Sequence, residues 1–175
     1  MKPLREVAEA YMALGDAERQ LRDNSYEDAA ASCRKAMEVS RTISKEEAFD
    51  HAGFDAFCYA SLSLALGRLR KFDDCLQAAD LALRYFNRRG ELNQEDGKLW
   101  ITAVFSRALA LEALGRTSEA LGEFRKAGEM LAERKGEMAG SDALRSEADE
   151  RIAHLEGIVE PGKKAGYKAW WEFWS

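Results

Sequence analysis

The side chains with the strongest claim to chemistry are a histidine and its acidic neighbours. Asp50 precedes His51, and Asp55 follows it by four residues, which places His51 and Asp55 on one face of a helix. A metal site needs about three or four such ligands, and His154 is the one other histidine in the sequence. We therefore expect His51 to be solvated or to pair helices, and we expect no metal ion.

Three cysteines are the candidate nucleophiles: Cys33, Cys58 and Cys75. They lack the CxxC spacing of zinc and redox motifs, and they stand where small residues would pack between helices. We expect buried, reduced and inert thiols, as in a cytoplasmic protein. No glycine-rich phosphate loop appears, and adjacent acids such as Asp73–Asp74 suit the start of a helix. The sequence predicts neither an enzyme nor a cofactor.

The charge balance disfavours nucleic acid as a partner, and the short apolar runs disfavour a membrane. The 26 basic and 31 acidic side chains give a net charge of -5, so no cationic surface is expected. Arg88–Arg89, beside Tyr85, Phe86 and Asn87, fit the end of a helix, where cations offset its dipole. No apolar run reaches the roughly 18–20 residues that cross a bilayer, and no secretion signal opens the chain. We expect a cytoplasmic protein.

The last ten residues carry an unusual density of aromatic side chains. They hold three of the four tryptophans. Aromatic side chains bury about 150–250 Å² each and dominate binding hot spots. Residues 161–175 have a net charge of +2 and residues 1–160 one of -7, which together make the -5 of the whole chain. We predict a docking tail with these anchors: Tyr167, Trp170, Trp171, Phe173 and Trp174.

Helices must position these candidates, because apolar residues recur with a helical period almost throughout, as in Leu62, Leu66 and Leu69. No stretch alternates in the manner of a strand. A capping box at Ser44–Glu47 predicts the start of a long third helix. The expected helices span about 4–22, 25–42, 44–69, 71–89, 93–114, 117–135 and 141–157. We expect residues 1–158 to form one helical domain, and residues 159–175 to be a linker and the aromatic tail.

Three segments of the chain repeat one pattern. They open at Tyr26, Phe72 and Thr117, which are 46 and 45 residues apart. In each, a small residue follows after three positions, another packing residue after four more, and an alanine after a further three. These positions are Ala29, Cys33 and Ala36; Cys75, Ala79 and Ala82; and Ala120, Phe124 and Ala127. The upstream helices match as well, so the chain is a repeat of helix pairs.

This pattern resembles the tetratricopeptide repeat (TPR), most specifically in Leu111–Leu121 and in Gly67–Asp74. The period exceeds the usual length of about 34 residues. Gln20 and Arg107 stand where apolar residues are usual, and Thr117 replaces an aromatic residue. The whole chain is also similar to a small bacterial TPR-like family of unassigned function, through the segments Phe49–Asp55 and Tyr85–Asn93.

The resemblance implies a right-handed α-solenoid of three elongated TPR-like helix pairs with a C-terminal capping helix. It also implies a concave groove, lined by the first helix of each pair, that binds a protein or peptide partner. The nine implied groove positions are Tyr11, Leu14, Glu18, Phe57, Ala60, Leu64, Thr102, Phe105 and Leu109. They lack the lysine and asparagine with which chaperone-binding members clamp a terminal carboxylate.

Two functions of the protein are predicted from the groove and the aromatic tail. The first is a non-catalytic adaptor or scaffold that binds a peptide or helix in its groove, either another protein's segment or the tail of its own chain or of a neighbour. Tail exchange would make a homodimer. The alternative is a membrane-surface or complex-tethering protein in which the tail is the anchor. The oligomeric state and the partner stay open on the sequence alone.

Overall fold

The predicted all-helical class is confirmed in a computed structural model, which describes residues 2–89, 94–134 and 138–161. These residues form seven helices and no strand. The helices are α1 (Lys2–Arg22), α2 (Tyr26–Arg41), α3 (His51–Arg68), α4 (Phe72–Arg89), α5 (Gln94–Ala113), α6 (Thr117–Glu133) and α7 (Ser141–Val159). The long repeat period is taken up by helices of 16 to 21 residues.

The capping-box prediction for the start of α3 is wrong. The Ser44 hydroxyl accepts a hydrogen bond from the backbone N–H of Glu46 at 3.3 Å, inside a turn, and so it caps no helix. The helix begins at His51 because the Asp50 carboxylate accepts a hydrogen bond from the Gly53 N–H at 3.0 Å. The residues between α2 and α3 are therefore a connection and not a first helical turn.

The helices pack as a solenoid of pairs. Each helix contacts the next one in the chain, and α3 also packs broadly on α5. Both α3 and α5 are therefore surrounded by other helices. Buried residues occur on every side of α3, whereas the buried residues of α4 lie on one face of that helix. The first helices of the second and third pairs thus form an inner layer.

Small side chains occupy the interfaces at the positions that the repeat predicts. All nine repeat positions from Ala29 to Ala127 are fully buried, at 0% exposure. Gly67 shows how close the approach is, because a Cβ there would lie 3.2 Å from the Cys75 Sγ of α4. Alanine, cysteine and glycine therefore set the distance between paired helices.

The last helix is joined to the array by ion pairs as well as by packing. Arg68, at the end of α3, donates two hydrogen bonds to the Glu147 carboxylate of α7, at 2.9 and 2.7 Å. Arg151 of α7 reaches Glu112 of α5 at 2.8 Å. The Arg68 guanidinium also lies 5.7 Å from the centre of the Phe105 ring. The predicted capping helix thus bridges the C-terminal ends of α3 and α5.

Gly53 is required by the close approach of α3 to Asp50 and α4. A Cβ at this position would collide with the Asp50 carboxylate and lie 2.7 Å from the Tyr85 hydroxyl. We expect Gly53→Ala to lower the free energy of unfolding by about 1–3 kcal/mol through overpacking. Gly122→Ala is the matched control: it lies in α6 with open space around it, and should raise stability by up to about 1 kcal/mol. Urea unfolding followed by circular dichroism measures both, and equal effects would contradict the prediction.

The Arg68–Glu147 pair should couple more strongly than an exposed pair of the same geometry. Its side chains are 28% and 23% exposed, against 45% and 50% for the bidentate Arg116–Glu119 pair of neighbouring turns. A double-mutant cycle with Arg68→Gln and Glu147→Gln should give a coupling energy of about 1 kcal/mol or more. The same cycle on Arg116 and Glu119 should give a smaller value, because solvent screens that pair. A coupling no larger than that of the exposed pair would show that the Arg68–Glu147 pair does not help to hold α7.

Candidate functional site: an aromatic belt

Seven aromatic side chains from three helix pairs form two neighbouring groups of contacting rings, which together we call the aromatic belt. At one end, Tyr11 of α1 packs edge-on against Phe54 of α3, with 5.1 Å between ring centres. At the other end, Phe86 of α4 is stacked between Phe57 of α3 and Trp100 of α5, at 6.2 and 6.4 Å. The members are Tyr11, Phe49, Phe54, Phe57, Tyr85, Phe86 and Trp100.

The belt is accessible at four of its rings and buried at Phe54 of α3 and on the side of α4. Tyr11 is 50% exposed, and Phe49, Phe57 and Trp100 are half-buried. Phe86 has no exposed surface and supports the two rings stacked on it. The accessible faces are thus held by buried rings, an arrangement that lowers the conformational cost of binding.

Asp50 joins the two ends of the belt. One carboxylate oxygen caps α3, and the other accepts a hydrogen bond from the Tyr85 hydroxyl at 3.1 Å. Burial, together with the negative charge of Asp50, raises the pKa of the Tyr11 phenol. Tyr11 therefore remains a neutral hydroxyl at physiological pH, able to donate a hydrogen bond. The Arg89 guanidinium lies 5.6 Å from the centre of the Tyr85 ring.

His51 and Asp55 lie beside the belt without forming a metal site. The His51 ring packs edge-on against Phe49, at 4.8 Å. Its Nε2 and one oxygen of Asp55 are buried without a hydrogen-bond partner among the described residues. Burial raises the pKa of Asp55, against the opposing charges of Arg41 and His51. In the part of the chain that the structure describes, no three histidine, cysteine or acidic side chains are grouped to hold a metal ion.

The nine implied groove residues lie in three environments. Four of them are buried in the array: Leu14, Ala60, Phe105 and Leu109. Glu18, Phe57, Leu64 and Thr102 are half-buried, and Tyr11 is exposed. Phe105 is covered by Phe124 of α6, at 5.7 Å between ring centres, and by the Arg68 guanidinium. Contact with a ligand is left to the five accessible positions, of which Tyr11 and Phe57 belong to the aromatic belt.

Trp100 is a belt residue that the sequence reasoning missed. The repeat alignment places Asp55 at the equivalent position of the preceding pair, so no repeat pattern marks Trp100. The only feature of the sequence that points to Trp100 is the presence of a tryptophan on a predicted first helix. The predicted anchors Tyr167, Trp170, Trp171, Phe173 and Trp174 lie outside the described residues, as does most of the 159–175 linker and tail.

The three cysteines are buried thiols, as predicted. Each is fully buried and free of a disulfide. Burial raises the pKa of Cys33 and of Cys75 to about 12 and raises that of Cys58 further. The Cys75 thiol also donates a hydrogen bond to the Ser106 carbonyl at 3.3 Å. These thiols contribute packing, because the nucleophilic thiolate is suppressed.

The repeated helix pairs and the small residues between them define a TPR-like helical-repeat protein. The chain is 62% identical to a TPR-like protein from Chlorobium tepidum, whose crystal structure matches with a TM-score of 0.84 over 89% of this chain and 99% of that one. Residues 2–144 match the family described as Domain of Unknown Function (DUF3856). The chain belongs to this family. A search of curated proteins gives no match.

The predicted resemblance to TPR-like proteins, and to a family of unassigned function, is thereby confirmed. Within residues 2–89, 94–134 and 138–161, no helix has both the length and the apolar character needed to cross a membrane.

Thiol chemistry tests the burial of the cysteines. At pH 8, a disulfide reagent such as dithionitrobenzoate should leave the folded chain unmodified, and it should label all three cysteines in guanidinium. Thiols of the unfolded chain ionise near pH 8.5, whereas those of the folded chain stay protonated to about pH 12. The free energy of unfolding should therefore fall as the pH rises from about 9 towards 12, with no thiol contribution below pH 8. Rapid labelling of the folded chain would contradict this assignment.

Proposed function

We propose that the protein is a non-catalytic interaction module that binds a peptide or helix along the accessible side of its aromatic belt. The observation that carries the proposal is the partly exposed set of rings on three successive first helices, Tyr11, Phe57 and Trp100, which rest on the buried rings of Phe54 and Phe86. Preorganised aromatic rings are the side chains that contribute most to protein binding. The TPR-like fold supports this class of function, because stacked helix pairs present extended binding surfaces.

The ligand that fits this surface best is aromatic and cationic. Residues 161–175 combine five aromatic side chains with a net charge of +2, and residues 1–160 have a net charge of -7. Asp50 and Asp55 bring negative charge to the belt itself. We therefore propose the tail of the same chain, or of a second copy, as the ligand of the belt. In this proposal residues 1–158 are the binding domain, and residues 159–175 are the linker and ligand.

A peptide titration tests the belt and the tail together. The receptor is the full chain carrying Trp170→Ala, Trp171→Ala and Trp174→Ala, so that its own tail does not compete. Labelled peptide 161–175 should bind it saturably by fluorescence anisotropy. Adding Tyr11→Ala should weaken binding about tenfold, which is the effect of losing about 1.4 kcal/mol of contact energy. Tyr11 is half-exposed, so its removal leaves the core intact.

Met12→Ala is the matched control for that titration. Met12 is the next residue of α1 and is 69% exposed, but it is not a member of the belt, so its removal should leave the affinity unchanged. Equal effects of the two substitutions would refute the belt as the binding surface. Absence of saturable binding to the receptor would refute the tail as its ligand. Co-sedimentation of the intact chain with anionic vesicles, lost in the tryptophan variant, would then favour the membrane-tethering alternative.

A further inference from the structure

A second site, separate from the aromatic belt, lies in the crevice where α4 and α6 flank α5. It is a pocket of about 360 Å³, within the size range of small-molecule sites. Its polar lining is drawn from all three helices. These residues are Asp80, Arg84, Asn87, Arg107, Glu123 and Lys126.

Arg107 is the fixed charge of this pocket. Its guanidinium donates a hydrogen bond to the Asp80 carboxylate of α4 at 2.8 Å and pairs with Glu123 of α6 at 3.3 Å. Arg107 itself is 22% exposed. One residue of α5 thus holds both carboxylates of the pocket, which limits their access to any further cation.

The remaining two cations of the pocket stand on facing helices. Arg84 lies on α4 and Lys126 on α6, and neither has an ion-pair partner among the described residues. With Arg107 they make three cations against two carboxylates, an excess of positive charge in a chain whose net charge is -5. Asn87, one turn beyond Arg84, adds an amide donor.

The preceding crevice of the same array provides an internal comparison. It is formed by α2, α3 and α4, and the repeat alignment puts Leu62, Ala78 and Leu81 at the positions of Arg107, Glu123 and Lys126. Leu62 and Ala78 are buried, at 6% and 4% exposure. The polar pocket is therefore a property of these particular side chains and not a consequence of the repeated backbone.

We propose that this pocket binds a small oxyanion ligand, through a carboxylate or phosphate group held between Arg84 and Lys126. Charge-assisted hydrogen bonds from a guanidinium and an ammonium are among the strongest polar contacts that a protein makes. Arg107 supplies a third positive charge that its own ion pairs keep in place. Asp80 and Glu123 are both paired with Arg107, which offsets their repulsion of an anionic ligand.

Calorimetric titration of the full chain with pyrophosphate and with citrate, at matched ionic strength, tests this site and separates phosphate from carboxylate chemistry. We expect saturable binding of at least one of the two probes. Arg84→Gln combined with Lys126→Gln should weaken that binding at least tenfold. The matched control is Arg34→Gln with Lys35→Gln, which removes the same charge from exposed positions of α2 and should leave the affinity unchanged.

A pocket-conversion variant is a second test, because it replaces the polar lining of the pocket by apolar side chains. Arg107→Leu, Glu123→Ala and Lys126→Leu together copy the α3 and α4 positions of the preceding crevice, so the variant should fold and lose binding of the probe. Absence of saturable binding by the parent chain, or equal losses in the α2 control, would overturn the proposal. Binding of peptide 161–175 should be unchanged in the Arg84→Gln and Lys126→Gln variant, so the failure of this site and that of the aromatic belt are distinguishable.

Discussion

The fold depends on how closely its helices approach one another. Fully buried alanines such as Ala29, Ala79 and Ala120, and the contact between Gly67 and Cys75, let paired helices approach closely. Large aromatic rings are accommodated instead near the N-terminal ends of α3 and α5 and the C-terminal end of α4. The same geometry buries the three cysteines and raises their pKa values.

The repeat pattern was sufficient to predict the helices, because apolar period, small residues and helix ends all agree with one another. It failed at Ser44, where a capping sequence forms an isolated turn and Asp50 starts the helix. Local sequence cannot distinguish a helix start at Ser44 from one at Asp50. Asp50 is also held by a hydrogen bond from Tyr85, which lies far along the chain. The exposure of the groove positions was harder still to predict. Because α3 and α5 are enclosed by other helices, repeat register places Phe105 on a first helix but does not reveal that Arg68 and Phe124 cover it.

The successive pairs are alike in backbone and different in chemistry. Between α2 and α4 the crevice is closed by Leu62 and Ala78, whereas between α4 and α6 it contains Arg107 and its two carboxylates. A half-buried ion cluster adds little stability compared with an apolar filling of the same volume. Its presence in one crevice and not in the other agrees with the ligand site that we propose there. Departures from a repeat consensus, here Arg107, are the residues that distinguish one array from another.

The core is divided in a way that affects how the molecule unfolds. One hydrophobic cluster is built mainly from α1 to α4 and the other from α3 to α7, and both include Phe57, Tyr59 and Leu76. In a repeat array, cooperativity depends on nearest-neighbour interfaces, and an array with weak interfaces melts segment by segment. Here the central pair contributes to both clusters, so loss of α3 would expose both at once. We therefore expect the array to unfold as a single cooperative unit whose stability depends most on the middle pair.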